Sequence, residues 1–154
     1  MRRDFLKFTL FAATAWLCIS PRAFPQNPAT PMKTSPTAPL NLERYRDRQR
    51  VVVAYLPAAA REPNETFHQR WANAAGELKE RDAVWIEIDD LHRQPADLVR
   101  RLGFTEGRFG LALVGKDGHV AWQSSEPTAP QAIFDQIDAM PMRQREMRER
   151  AAHK

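Results

Sequence analysis

The sequence predicts an α/β fold, a three-layer sandwich in which a βαβ unit is followed by a ββα unit. Three observations carry this expectation. Two continuous apolar segments, Arg50 to Leu56 and Ala83 to Asp89, flank one helix-length amphipathic stretch. Two more, Phe109 to Gly115 and His119 to Gln123, are separated only by Lys116-Asp117-Gly118. A last amphipathic stretch then places Ile133, Phe134, Ile137 and Met140 at helical spacing.

Each element can be justified in order. Leu42 to Tyr45 reads as a short helical or irregular lead-in. Arg50 to Leu56 is β-branched and aromatic without alternation, as in a strand covered on both faces, and Pro57 ends it. Asn64 is suited to cap a single helix running to about Arg81, with Phe67, Trp71, Ala74, Ala75 and Leu78 facing inward. Arg70, Asn73, Glu77 and Lys79 fall on its solvated side. Strands joined through a helix of this length are parallel, so Ala83 to Asp89 should lie parallel to the first strand. Pro95 to Leu102 predicts a shorter helix stopped by Gly103. Asp117-Gly118 between apolar segments is a hairpin signal. Thr128 with Gln131 has the spacing of a capping box. Pro141 should stop or kink the final helix, and the arginine-rich residues beyond should begin helical and fray toward Lys154.

The first 39 of the 154 residues differ in kind and hold six of the 12 prolines. Arg2-Arg3-Asp4-Phe5-Leu6-Lys7 precedes an apolar run from Phe8 to Ile19. That run is too short for a membrane span, which needs roughly 20 residues, and suits a signal peptide. Arg2, Arg3, Phe5, Leu6 and Lys7 resemble the twin-arginine export pattern, which implies export of an already folded protein. An ordinary secretory signal is the alternative, as is an uncleaved anchor. Residues 1–23 are therefore read as the export signal, 24–39 as a proline-rich linker, 40–148 as the folded domain and 149–154 as a tail. The expected location is periplasmic or secreted, with no membrane contact after cleavage. Cleavage after Ala23 removes Arg2, Arg3, Lys7 and Arg22 but only Asp4, lowering the net charge from +4 to +1 with histidines neutral. The basic character thus belongs largely to the leader and argues for no nucleic-acid partner.

Cys18, the sole cysteine, lies inside the apolar run, and Ala15-Trp16-Leu17 before it is a poor lipobox. The mature chain would carry no disulfide, thiol nucleophile or thiolate ligand. No cofactor is expected. Ser124 and Ser125 lack a nucleophile-elbow context, and Gly115-Lys116 lacks the other residues of a phosphate loop.

The C-terminal half carries a resemblance. Val114-Gly115-Lys116-Asp117-Gly118, Ser125-Glu126-Pro127, Ile137 through Arg143 and Glu146-Met147-Arg148 resemble a family of exported bacterial domains of unknown function. That family is also similar to domains in vertebrate sushi-repeat and coiled-coil-domain extracellular proteins. The likeness spans about Leu40 to Arg148 and implies a thioredoxin-like fold, but no catalytic residues. The oxidoreductases of that fold place a thiol after the first strand and a cis-proline before the third. Here Pro57 to Glu65 contains no cysteine, and Thr105 to Arg108 contains no proline. The Cys-x-x-Cys motif is missing, and disulfide exchange and peroxidase chemistry are excluded with it.

Two candidate sites remain. Asp89, Asp90 and His92 follow the second strand, where α/β sheets collect ligands, and could support a metal- or carboxylate-dependent enzyme. Turn and capping roles are the plainer reading of these residues. His68 and His119 are read as exposed. Met142, Arg143, Arg145, Met147 and Arg148 could form a surface for an acidic protein partner, against the default of a solvated mixed-charge helix. A non-catalytic binding module is the leading expectation.

Overall fold

Four strands form one sheet in the order β2-β1-β3-β4, where β1 is Arg50–Tyr55, β2 Ala83–Ile88, β3 Gly110–Val114 and β4 Val120–Ser124. This is a computed structural model, and it describes residues 38–57 and 65–153. The export signal, most of the linker and Asn64 lie outside the described residues. No helix among those described is long and apolar enough to cross a membrane.

β1 lies at the centre, and every residue of it is buried. It runs parallel to β2, pairing Arg50 with Ala83 and Tyr55 with Ile88. On its other side it is antiparallel to β3, pairing Val51 with Val114 and Tyr55 with Gly110. β3 and β4 form the expected hairpin, with a register shift at Leu113/Val114. Central placement explains the unbroken apolar run, since alternate residues of β1 enter two different cores. Val52, Ala54 and Leu56 face the larger core, which holds Phe67, Trp71, Leu78, Trp85, Ile133, Phe134 and Ile137. Trp71 stacks on Trp85 at 4.2 Å, and Phe67 meets Phe109 edge-on at 5.4 Å. Val51, Val53 and Tyr55 face the second core, which holds Leu40, Leu42, Leu98, Leu102 and Phe104.

The helix expected between β1 and β2 is two helices, α1 (Glu65–Asn73) and α2 (Ala75–Glu80). The junction residue Ala74 has ψ near zero, between the weak helix formers Asn73 and Gly76. Hydrogen bonding continues through the bend, because Ala74 N–H donates to the Arg70 carbonyl and Leu78 N–H to that of Ala74. Phe67, Trp71, Ala74 and Leu78 therefore keep one inward stripe, while Ala75 is only half-buried. α3 (Ala96–Leu102) covers the opposite face and ends at Gly103, whose φ of 68° supplies the left-handed cap.

The two prolines near the C-terminus start helices. Pro130 takes the first position of α4 (Pro130–Asp138), and Pro141 that of α5 (Pro141–Ala152). A proline there loses no hydrogen bond, and it forces the preceding residue out of helical geometry. The capping box is consequently not formed. Ala129 is the N-cap, Thr128 Oγ1 donates to the Glu126 carbonyl, and Gln131 bonds Asp135. α5 continues past Arg148 to Ala152, so no break separates the domain from residues 149–152.

Candidate functional site

Tyr55, Ile88 and Gly110 mark one end of the sheet, because Tyr55 pairs with both of the others. The sequence-predicted acidic candidates lie just beyond this end. Asp90 caps the 3-10 turn Leu91–Arg93, accepting from His92 N–H at 2.8 Å, and pairs with Arg93 at 3.2 Å. His92 Nε2 lies 2.8 Å from Glu106 Oε1. The hydrogen bond to Glu106, then the charges of Glu106 and Asp90, raise the His92 pKa. Asp89 is exposed. No group of three or more His, Cys, Asp or Glu able to hold a metal occurs among the described residues. Asp89, Asp90 and His92 thus adopt the turn-and-cap arrangement. Glu106 enters from the loop before β3, and no local sequence signal joins it to His92. Beside that loop, Thr105, Arg108, Phe109, Gln123 and Ser125 line an open cleft of about 210 Å³.

His68 is also engaged. Its Nδ1 lies 2.9 Å from Glu87 Oε1, which accepts in addition from Trp85 Nε1 at 3.0 Å. One β2 carboxylate thus ties α1 to the edge of the sheet and satisfies the indole of a stacked tryptophan. His119 is exposed, as its place after the turn predicts.

The opposite end of the sheet carries a network of charge. Arg50 opens β1 and is 1% exposed. Its Nη1 and Nη2 each donate to Glu146 at 3.2 Å, one to each carboxylate oxygen, and Nη1 also donates to the Arg81 carbonyl at 2.9 Å. Lys116 Nζ reaches Glu146 Oε1 at 2.7 Å and Asp82 at 3.1 Å. Asp82, with φ of 47°, presents the same carboxylate to Arg150 at 3.0 Å. Asp138 receives Arg81 at 2.7 Å and Arg143 at 3.1 Å. Burial pushes the Glu146 and Asp138 pKa values up, but hydrogen bonds and charge from their cations prevail, and both end below the ordinary carboxylate value.

This network places the tail residues. Arg143, grouped with the exposed surface by sequence, is 2% exposed and bonded to Asp138 and the Glu80 carbonyl. An arginine at that position faces a carboxylate one turn back and an open helix terminus, so it turns inward. Met142, Arg145, Met147 and Arg148 remain exposed. At 3.6 residues per turn, Met142 and Met147 project roughly 140° apart, on opposite flanks of the inward stripe. Sequence reading missed Arg50, Lys116, Asp138 and Glu146 as a group. The available signal was Arg50 itself, a cation heading a strand buried on both faces, which demands a carboxylate.

A sheet ordered β2-β1-β3-β4, with β1 and β2 parallel, α1, α2 and α4 on one face and α3 on the other, defines a thioredoxin-like domain, here without the cysteine pair. It is similar to a DsbF homologue from Corynebacterium diphtheriae, at TM-score 0.52 and 14% identity, over 66% of this chain and 77% of that one. A Malassezia sympodialis thioredoxin is also similar, at TM-score 0.47 and 13% identity, over 64% and 83% of the respective chains. No curated protein matches in sequence. Over residues 41–146 the chain matches the domain of unknown function DUF4174, and it belongs to that family.

Proposed function

We propose that this protein is an exported, non-catalytic binding module that uses a thioredoxin-like domain as a scaffold for a protein partner. One observation carries the reading. The stretch where this fold keeps its nucleophile, Pro57 to Glu65, has no cysteine, and the sole cysteine is Cys18 in the leader. Asp89, Asp90 and His92 do not substitute for it, since Asp90 and His92 serve a turn and a surface ion pair. The exposed side of α5 offers Arg145 and Arg148, with Met142 at its margin, to an acidic protein surface. Export is supported by the Arg2-Arg3 leader and its apolar run.

The test is recovery of the protein from a periplasmic fraction under native conditions. A stoichiometric protein complex that dissociates in the double variant Arg145→Glu/Arg148→Glu, with unchanged melting temperature, is the expected result. A partner-free protein carrying a metal, or an activity abolished by Asp90→Ala, would overturn the reading in favour of an enzyme. Export is checked separately: Arg2→Lys/Arg3→Lys should retain the protein in the cytoplasm.

A further inference from the structure

We infer that Arg50 and Lys116 form a carboxylate-binding seat, that Glu146 of α5 is its resident ligand, and that an acidic peptide segment able to displace α5 is the partner it fits. This does not rest on the outer face of α5 being a docking surface.

The geometry is that of an anion receptor. The Arg50 fork grips both oxygens of one carboxylate, and the Lys116 ammonium adds a shorter contact from a second direction. Neither cation belongs to the element it holds. Arg50 comes from the central strand and is anchored by the Arg81 carbonyl. Lys116 follows β3 and is anchored by Asp82. The seat therefore keeps its shape when α5 leaves, and its buried guanidinium then lacks a counter-charge. It also has unused capacity. Arg50 Nε is buried and finds no hydrogen-bond partner, so an incoming segment with more than one acceptor gains a bond that Glu146 does not make.

α5 is built as a removable cover. Of its 12 residues only Arg143 is buried, and its inward stripe is Arg143, Glu146 and Arg150. Its apolar side chains Met142 and Met147 stay 43% and 37% exposed. By contrast, α4 buries Ile133, Phe134 and Ile137. Charge rather than apolar area holds α5, so a competitor of the same charge pattern can replace what it supplies. The competitor must exceed the millimolar order of effective concentration that tethering confers on Glu146. A segment with several carboxylates does so by multiplicity.

Hydrogen exchange followed by mass spectrometry on the intact protein tests this. Polyglutamate peptide is titrated at low ionic strength, with a glycine–serine peptide as control. The amides of residues 142–152 should exchange about tenfold faster with polyglutamate, and unchanged with the control, while β1 and β3 amides stay protected. Lys116→Gln should raise the polyglutamate concentration needed several-fold. Glu146→Gln should speed α5 exchange without any peptide. Three results would overturn the inference: α5 exchange indifferent to millimolar polyglutamate, α5 opening only together with β1 and β3, or an unchanged response in Lys116→Gln.

Discussion

Glu146→Gln isolates the charge of one carboxylate while keeping its shape. In the parent, both Arg50 terminal nitrogens donate to Glu146, and Arg50 has no route to water. Removing one partner of a buried pair costs about 3–5 kcal/mol, because the remaining charge is left uncompensated. Three features lower the figure here. The Glu146 side chain is 17% exposed, glutamine keeps one acceptor oxygen, and Lys116 retains Asp82. The expected loss is thus about 2–3 kcal/mol, at the lower edge of that range. For a domain of this size each kcal/mol shifts Tm by about 4 °C, so the variant should melt about 10 °C lower. Urea unfolding with the same m-value should give the same loss. The paired replacement Arg50→Met/Glu146→Leu removes both charges and should recover most of it, since an apolar pair of similar volume is often as stable as a buried ion pair. If Glu146→Gln melted within about 2 °C of the parent, the buried guanidinium would not depend on this carboxylate, and the electrostatic account of α5 would fail.

Three further predictions follow from particular contacts. Glu146 and Asp138 have folded pKa values below their unfolded ones, so their stabilisation is present above the unfolded pKa and is lost as pH falls through the folded pKa. Stability should therefore decline on the acid side, below about pH 4, and Asp138→Asn should flatten that decline when Tm is scanned against pH. His92 should titrate above the ordinary histidine value by NMR, and Glu106→Gln should move its midpoint back down. Because that pKa is raised, the pair's contribution is complete below the unfolded pKa and disappears as pH rises through the folded one. Gly110→Ala would place a methyl carbon 2.4 Å from Phe104 Cδ1, so the ring must shift. A loss of about 1–3 kcal/mol in chemical denaturation is expected, and a neutral result would mean the second core yields there freely.

Much of the architecture was legible because burial imprints itself locally. β1 lies in two cores at once, so it carries no polar alternation. The stripe Phe67, Trp71, Ala74 and Leu78 has the helical period that one inward face requires. Gly103 and the Asp117-Gly118 turn mark chain reversals through their own backbone preferences. The lack of a nucleophilic thiol could be read directly, since it depends on composition alone. The break at Ala74 and the helix starts at Pro130 and Pro141 were less legible, because neighbouring preferences compete there over one or two residues.

The charged sites were decided by the tertiary structure. His92 meets Glu106 across 14 positions, His68 meets Glu87 across 19, and Arg50 meets Glu146 across 96. A side chain's charge is a property of its residue, but its partner is set by which strands are adjacent and how they are registered. Arg143 shows the consequence most directly. By sequence it is one of several arginines on a polar helix, and only the packing of α5 against Asp138 and Glu80 makes it a buried cation. Local periodicity thus determined the layers and the core. The closing of the sheet determined which charges became buried pairs, because only that step removed water from between groups distant along the chain.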